Sequence, residues 1–212
     1  MYMILRYLIT AVFAIALGLL IWKKHIQVSK GIVITIVIVL LLIPTLLTYL
    51  PFENLLVSFS SPECVFSYMK EGEILIITEG EKSCLVLFDL NGLTKPYIKP
   101  SIMVIPKTDA GYKIGTPITM QTRLEMEKNG LRISILRCKN TDDYYVRVFT
   151  RTKDTNVNVS DNCGSVFNNY AWKSTGFDTS VWSCAYIKNI PTDYMITIDG
   201  NTVDVSIPLN NG

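Results

Sequence analysis

The chain reads as a membrane protein: an N-terminal two-helix transmembrane hairpin followed by a mainly antiparallel all-β, sandwich-like soluble domain with one short helix. Three observations predict this. Two long uncharged runs fill the first 50 residues. All 18 acidic residues lie beyond them. After Gly72, apolar residues recur with period two between turn-forming residues. The expected division is 1–50 as two transmembrane helices, about 5–22 and 32–50 around a basic loop 23–31, and 51–212 as a β-rich extracytoplasmic domain.

The second run, Ile32 to Leu50, holds 19 residues without a charge, 14 of them Ile, Leu or Val. As a helix it spans about 28 Å, close to the hydrocarbon thickness of a bilayer. Its insertion is favoured by on the order of 4 to 8 kcal/mol. A buried helix of a soluble protein seldom runs this long without a polar face. Pro44 can kink the helix, which a membrane helix tolerates.

The first run, Tyr7 to Trp22, is preceded by Met1 to Leu5 and a single Arg6, which can snorkel to an interface. A cleaved signal peptide is the rival reading, with Ala14-Ile15-Ala16 as a loose cleavage site. The apolar run continues past Ala16, and a second full run follows after a short basic loop, which favours an uncleaved hairpin. That loop carries Lys23, Lys24 and Lys30, the topology determinants, whereas residues 51–69 contain no basic residue. By the positive-inside rule the loop is cytoplasmic and the C-terminal domain extracytoplasmic, with Arg6 pulling weakly the other way. The site of action expected is the cell membrane, with lipid as the first partner. Trp22 and Tyr49 fall at helix ends, where amphipathic rings favour the headgroup level.

Within the domain, Ser60-Ser61-Pro62-Glu63 opens a short helix carrying Val65, Phe66 and Met69 on one face and stopping at Gly72. Ile74–Thr78 and Ser83–Leu90 read as paired strands. Ile118, Met120, Thr122, Leu124 and Met126 alternate with polar residues and point to one buried face. Lys128-Asn129-Gly130 then turns the chain into a strand bearing Leu131, Ile133 and Ile135. Further strands are expected over 143–151, 156–160, 183–190, 194–199 and 202–207, the last two joined at Asp199-Gly200-Asn201. Residues 91–117, with four prolines, read as irregular.

The chemistry is read largely by elimination. The only histidine, His25, lies in the hairpin loop, so the domain cannot build a Ser-His-Asp triad, a Cys-His dyad or a histidine zinc site. There is no Cys-x-x-Cys, phosphate-binding glycine loop or dinucleotide fingerprint. No catalytic, cofactor or metal residue is therefore assigned. Asp142-Asp143 reads as a solvated turn. Asp154-x-Asn156-x-Asn158-x-Ser160 lacks the glycine and acidic residue a calcium loop needs, and reads as a strand with Val157 and Val159 inward. Asn158-Val159-Ser160 is also a glycosylation sequon.

Beyond position 50, sixteen basic residues stand against eighteen acidic ones, interspersed, which gives no footprint for nucleic acid. Of the five cysteines, Cys64 with Cys84 and Cys163 with Cys184 are the disulfide candidates. Tyr170, Trp172, Phe177 and Trp182 lie in a segment read as a polar loop, where the rings are expected to fold back as a small internal core, with a recognition surface as the alternative reading. The function expected is noncatalytic contact between an extracytoplasmic β-domain and a ligand or an envelope or membrane protein. The alternatives are an envelope enzyme using Ser/Lys or carboxylate chemistry, and a small accessory subunit of a membrane complex.

Overall fold

A computed structural model describes residues 2–23, 29–90, 100–128, 130–153, 156–173 and 178–205. Four helices come first: α1 Tyr2–Lys23, α2 Lys30–Tyr49, α3 Glu53–Leu56 and α4 Pro62–Met69. The start of α4 follows the sequence reading. Ser61 is the N-cap, its hydroxyl accepting from the Cys64 N–H, and Pro62 occupies the first turn.

Among the described residues twelve strands follow, all paired antiparallel, in three sheets. Sheet I is the meander β1 Glu73–Glu79, β2 Ser83–Asp89, β3 Ser101–Thr108 and β4 Gly111–Tyr112. Sheet II has the order β5-β6-β7-β10-β9, from β5 Met120–Lys128, β6 Leu131–Cys138, β7 Asp143–Thr152, β9 Asn168–Lys173 and β10 Thr179–Lys188. Sheet III is β12 Asn201–Asp204, β11 Met195–Ile198 and β8 Val159–Asp161. The antiparallel β class is as expected, and the described strands form three sheets.

Burial shows the layering. Every residue of β2 is buried. Cys84, Val86 and Phe88 pack with Val65 and Phe66 of α4, while Leu85 and Leu87 join Leu136, Tyr145, Trp182 and Cys184 of sheet II. On the other face of sheet II, Ile133, Ile135, Val146, Val148 and Val181 pack with Val159 and Ile196 of sheet III. The order is thus α4, sheet I, sheet II, sheet III. Strands buried on both faces carry near-continuous apolar sequence, as β2 does.

Four expectations are corrected. The 91–117 segment contains β3 and β4; Pro106 is accommodated near the end of β3, where its carbonyl accepts from the Lys113 N–H. The polar stretch 168–173 is the edge strand β9. The alternation of β5 does not serve one face: a bulge between Thr122 and Leu124 sends Met120 toward sheet I but Leu124 and Met126 toward sheet III. Asp143 is not a solvated turn residue but is 2% exposed at the start of β7.

Asp143 accepts hydrogen bonds from the Lys82 N–H (2.8 Å) and Ser83 hydroxyl (2.7 Å) of the β1–β2 hairpin and from Tyr186 (3.1 Å). Ser83 Oγ also lies 2.8 Å from the Tyr145 hydroxyl. A buried carboxylate is tolerable when its lone pairs are filled in this way, and here the network ties sheet I to sheet II. Gly80 leaves room for it, since a Cβ there would stand 2.6 Å from the Tyr145 hydroxyl.

Candidate membrane interface

α1 turns large apolar side chains outward along its length. Ile4, Leu8, Val12, Ile15, Leu19 and Trp22 are all more than half exposed, a distribution that water penalises along a whole helix. Among the described residues it is the one helix long and apolar enough to cross a membrane. The apolar run described in α2 is 31–44, which covers about 21 Å of rise against a hydrocarbon core of about 30 Å. The expected pair of spans is therefore supported at α1 alone.

Near the start of α1, Arg6 does not snorkel. It is fully buried, with Nη1 2.9 Å from Oε1 and Nη2 3.1 Å from Oε2 of Glu53, the first residue of α3. The Tyr68 hydroxyl of α4 donates to the same Oε1 at 3.0 Å, and the guanidinium lies 5.9 Å from the centre of the Phe52 ring. The fork geometry matches a carboxylate with two parallel bonds, the arrangement that best offsets the cost of burying both charges. Because α1 packs against α2 and its first turns bind the residue that follows α2, the two helices run antiparallel. α1 also touches α4, so the base of the β-domain is held to the helical segment.

α3 distributes its residues in reverse of a soluble helix. Glu53 is 6% exposed, and the Asn54 amide turns inward to exchange two hydrogen bonds with the Ile114 backbone (2.7 and 3.0 Å). Leu55 and Leu56, by contrast, are 87% and 80% exposed. Lys113 Nζ closes the end of this turn by donating to the carbonyls of Asn54 (2.8 Å) and Val57 (3.0 Å). The polar residues thus face protein and the leucines face out.

The remaining residues marked from sequence are dispersed. Lys23 ends α1 and Lys30 opens α2, together at the end remote from Arg6, while Lys24 lies outside the described residues. Trp182 is 4% exposed and packs against Phe149 (5.4 Å) and Tyr170 (6.2 Å), so it belongs to the core between sheets I and II and not to a recognition surface. Tyr170 and Trp172 are half-buried against the same core, and Phe177 lies outside the described residues.

All five cysteines are free thiols. Cys64 on α4 and Cys163 after β8 are exposed, and Cys84, Cys138 and Cys184 are buried. Cys184 belongs to the core on the sheet I side of sheet II, whereas Cys163 follows a strand of sheet III, so sheet II separates this expected pair. Burial pushes the Cys184 thiol up to about 12. Hydrogen bonds from Ser61 and Ser60 lower that of Cys64.

No catalytic arrangement emerges from the buried polar network. Ser83 and Asp143 are closed to solvent, burial followed by the Asp143 charge raises Tyr186 to about 12, and burial raises Tyr145 further. The cavities of about 420 Å³ beside Met69, Phe88 and Met103 and about 560 Å³ beside Met126, Ile133 and Val203 do not reach it. Among the described residues no three His, Cys, Asp or Glu side chains converge as metal ligands would.

Sequence reasoning missed the Arg6–Glu53–Tyr68 cluster and the reversal in α3. A single arginine inside an apolar run, with the first acid of the chain just past the second run, was the signal available for the first. No protein-family model, curated protein or solved structure matches this sequence.

Proposed function

We propose that the chain is a two-span protein of the cell membrane whose extracytoplasmic β-domain makes noncatalytic contacts with a ligand or another protein of the envelope. The observation that carries this reading is the apolar, outward-facing α1 joined by the buried Arg6–Glu53 pair to the base of a β-domain. A helix held in that way presents the domain at a fixed height and tilt on the bilayer. The second span is Ile32 to Leu50, on the strength of its uncharged sequence.

Orientation follows from charge. Arg6 has a structural reason to sit at the domain end, namely its partner Glu53, so its weak opposition to the loop lysines is accounted for. Lys23, Lys24 and Lys30 then mark the other end as cytoplasmic. A noncatalytic role is favoured because the densest polar network, around Asp143, is closed and holds two sheets together.

The test is protease accessibility of the C-terminal domain in intact cells, with lysed cells as control. Digestion in intact cells is expected. Protection until lysis would reverse the orientation and direct the partner search to the cytoplasm.

A further inference from the structure

We infer that the β-domain is not merely tethered above the bilayer but rests on it through α3, with Leu55 and Leu56 seated at the boundary between headgroups and acyl chains. This rests on the membrane reading of α1 proposed above and adds a second, separate lipid contact. Three observations converge on lipid as the occupant.

The first is position. Three residues separate α3 from the end of α2, and its Glu53 is bonded to Arg6 in the opening turns of α1, so its leucines lie where the apolar helices meet the domain. Leu50 (67% exposed) and Val57 (47% exposed) extend the same apolar surface on either side. The second is the reversed polarity. Glu53 and Asn54 are spent on protein partners while the two leucines are left outside, which is costly in water and favourable against lipid.

The third is the state of the backbone. A turn lodged in the apolar edge of a bilayer must have its polar groups satisfied without water. Here the N–H groups of Asn54, Leu55 and Val57 donate to Pro51, Phe52 and Glu53, and the carbonyls of Asn54 and Val57 accept from the Lys113 ammonium. Lys113 reaches in from the domain side. An exposed turn in water would gain little from such closure, because water can fill the same positions.

The experiment places the photoreactive residue benzoylphenylalanine, one site at a time, at Leu55, Leu56, Ile15 and Val166 of the full chain. Each variant is reconstituted in phosphatidylcholine–phosphatidylglycerol vesicles, irradiated, and its peptides weighed. Ile15 is an exposed residue of α1, and Val166 is 79% exposed between β8 and β9. Expected are peptides heavier by one phospholipid at Leu55, Leu56 and Ile15, and none at Val166.

Lipid adducts at Ile15 without any at Leu55 and Leu56 would overturn this inference and leave the membrane reading standing. So would adducts equally abundant at Val166. Cross-links from Leu55 or Leu56 to a second copy of the chain would replace lipid with self-association. Absence of lipid adducts at Ile15 as well would instead sink the membrane reading itself.

Discussion

β2 and α3 stand only 30 residues apart at their first positions, 83 and 53, yet they sort their side chains in opposite ways. In β2, five apolar residues from Cys84 to Phe88 are withdrawn on both faces and only the strand's ends are polar. In α3, the acid and the amide are withdrawn and the leucines are turned out. One rule produces both: each segment hides whatever its surroundings solvate least well. β2 is covered on both faces by α4 and sheet II, whereas α3 has protein on its polar side only and leaves its leucines uncovered.

The strongest way to break that comparison is to empty the polar side of α3. Replacing Glu53 by Ala leaves the Arg6 guanidinium buried without its carboxylate, and removing one partner of a buried pair costs about 3–5 kcal/mol. Unfolding of the purified full chain in detergent is the measurement. The double variant Arg6→Met with Glu53→Leu is expected to recover most of the loss, because an apolar pair of similar volume needs no desolvation. Equal damage in the single and double variants would mean that the pair contributes through something other than its buried charge.

A second comparison sets Ile135 against Leu55. Ile135 is fully buried at the centre of sheet II, and Ile135→Ala is expected to cost about 2–5 kcal/mol through lost transfer energy and the cavity left behind. Leu55→Ala removes a side chain that touches almost no protein, so unfolding in detergent should change by less than about 0.5 kcal/mol. A large loss from Leu55→Ala would show that this leucine packs on protein after all, and the proposed reversal in α3 would fail with it.

How much of this was readable beforehand follows the range of each interaction. The apolar α1, the serine cap of α4, the continuous apolar β2 and the turn at Asp199 and Gly200, both at positive φ, depend on neighbours within a few residues. Val157 and Val159 point inward as their alternation suggested. The bulge in β5 was not readable, because the alternation in sequence is unbroken while the register shift is imposed by β6. β9 carries polar residues because it is an edge with little to bury, which makes it resemble a loop. The Arg6–Glu53 pair spans 47 residues and Lys82–Asp143 spans 61, so the neighbours of each residue do not identify its partner. Asp143 and Asp142 are adjacent in sequence and opposite in fate, since one enters a strand beneath the Ser83 hairpin and the other stays at the surface near Arg137.

The smallest expected effect concerns two thiols, and it separates the outer surface of the domain from its layers. In the native full chain Cys64 and Cys163 are open to an alkylating reagent, whereas Cys84, Cys138 and Cys184 should react only after unfolding. Between the two exposed thiols the order is set by ionisation, because the thiolate is the nucleophile. Hydrogen bonds from Ser61 and Ser60 stabilise the Cys64 thiolate and lower its pKa, while partial desolvation by its neighbours and the Asp161 charge raise that of the exposed Cys163. At a pH below both values Cys64 therefore carries the larger thiolate fraction, and its rate should begin to rise at lower pH as the solution is made alkaline. Peptide-resolved alkylation across a pH series reads both rates. Ser61→Ala should bring the Cys64 profile toward that of Cys163, and an unchanged profile would remove the serine hydroxyl as the cause.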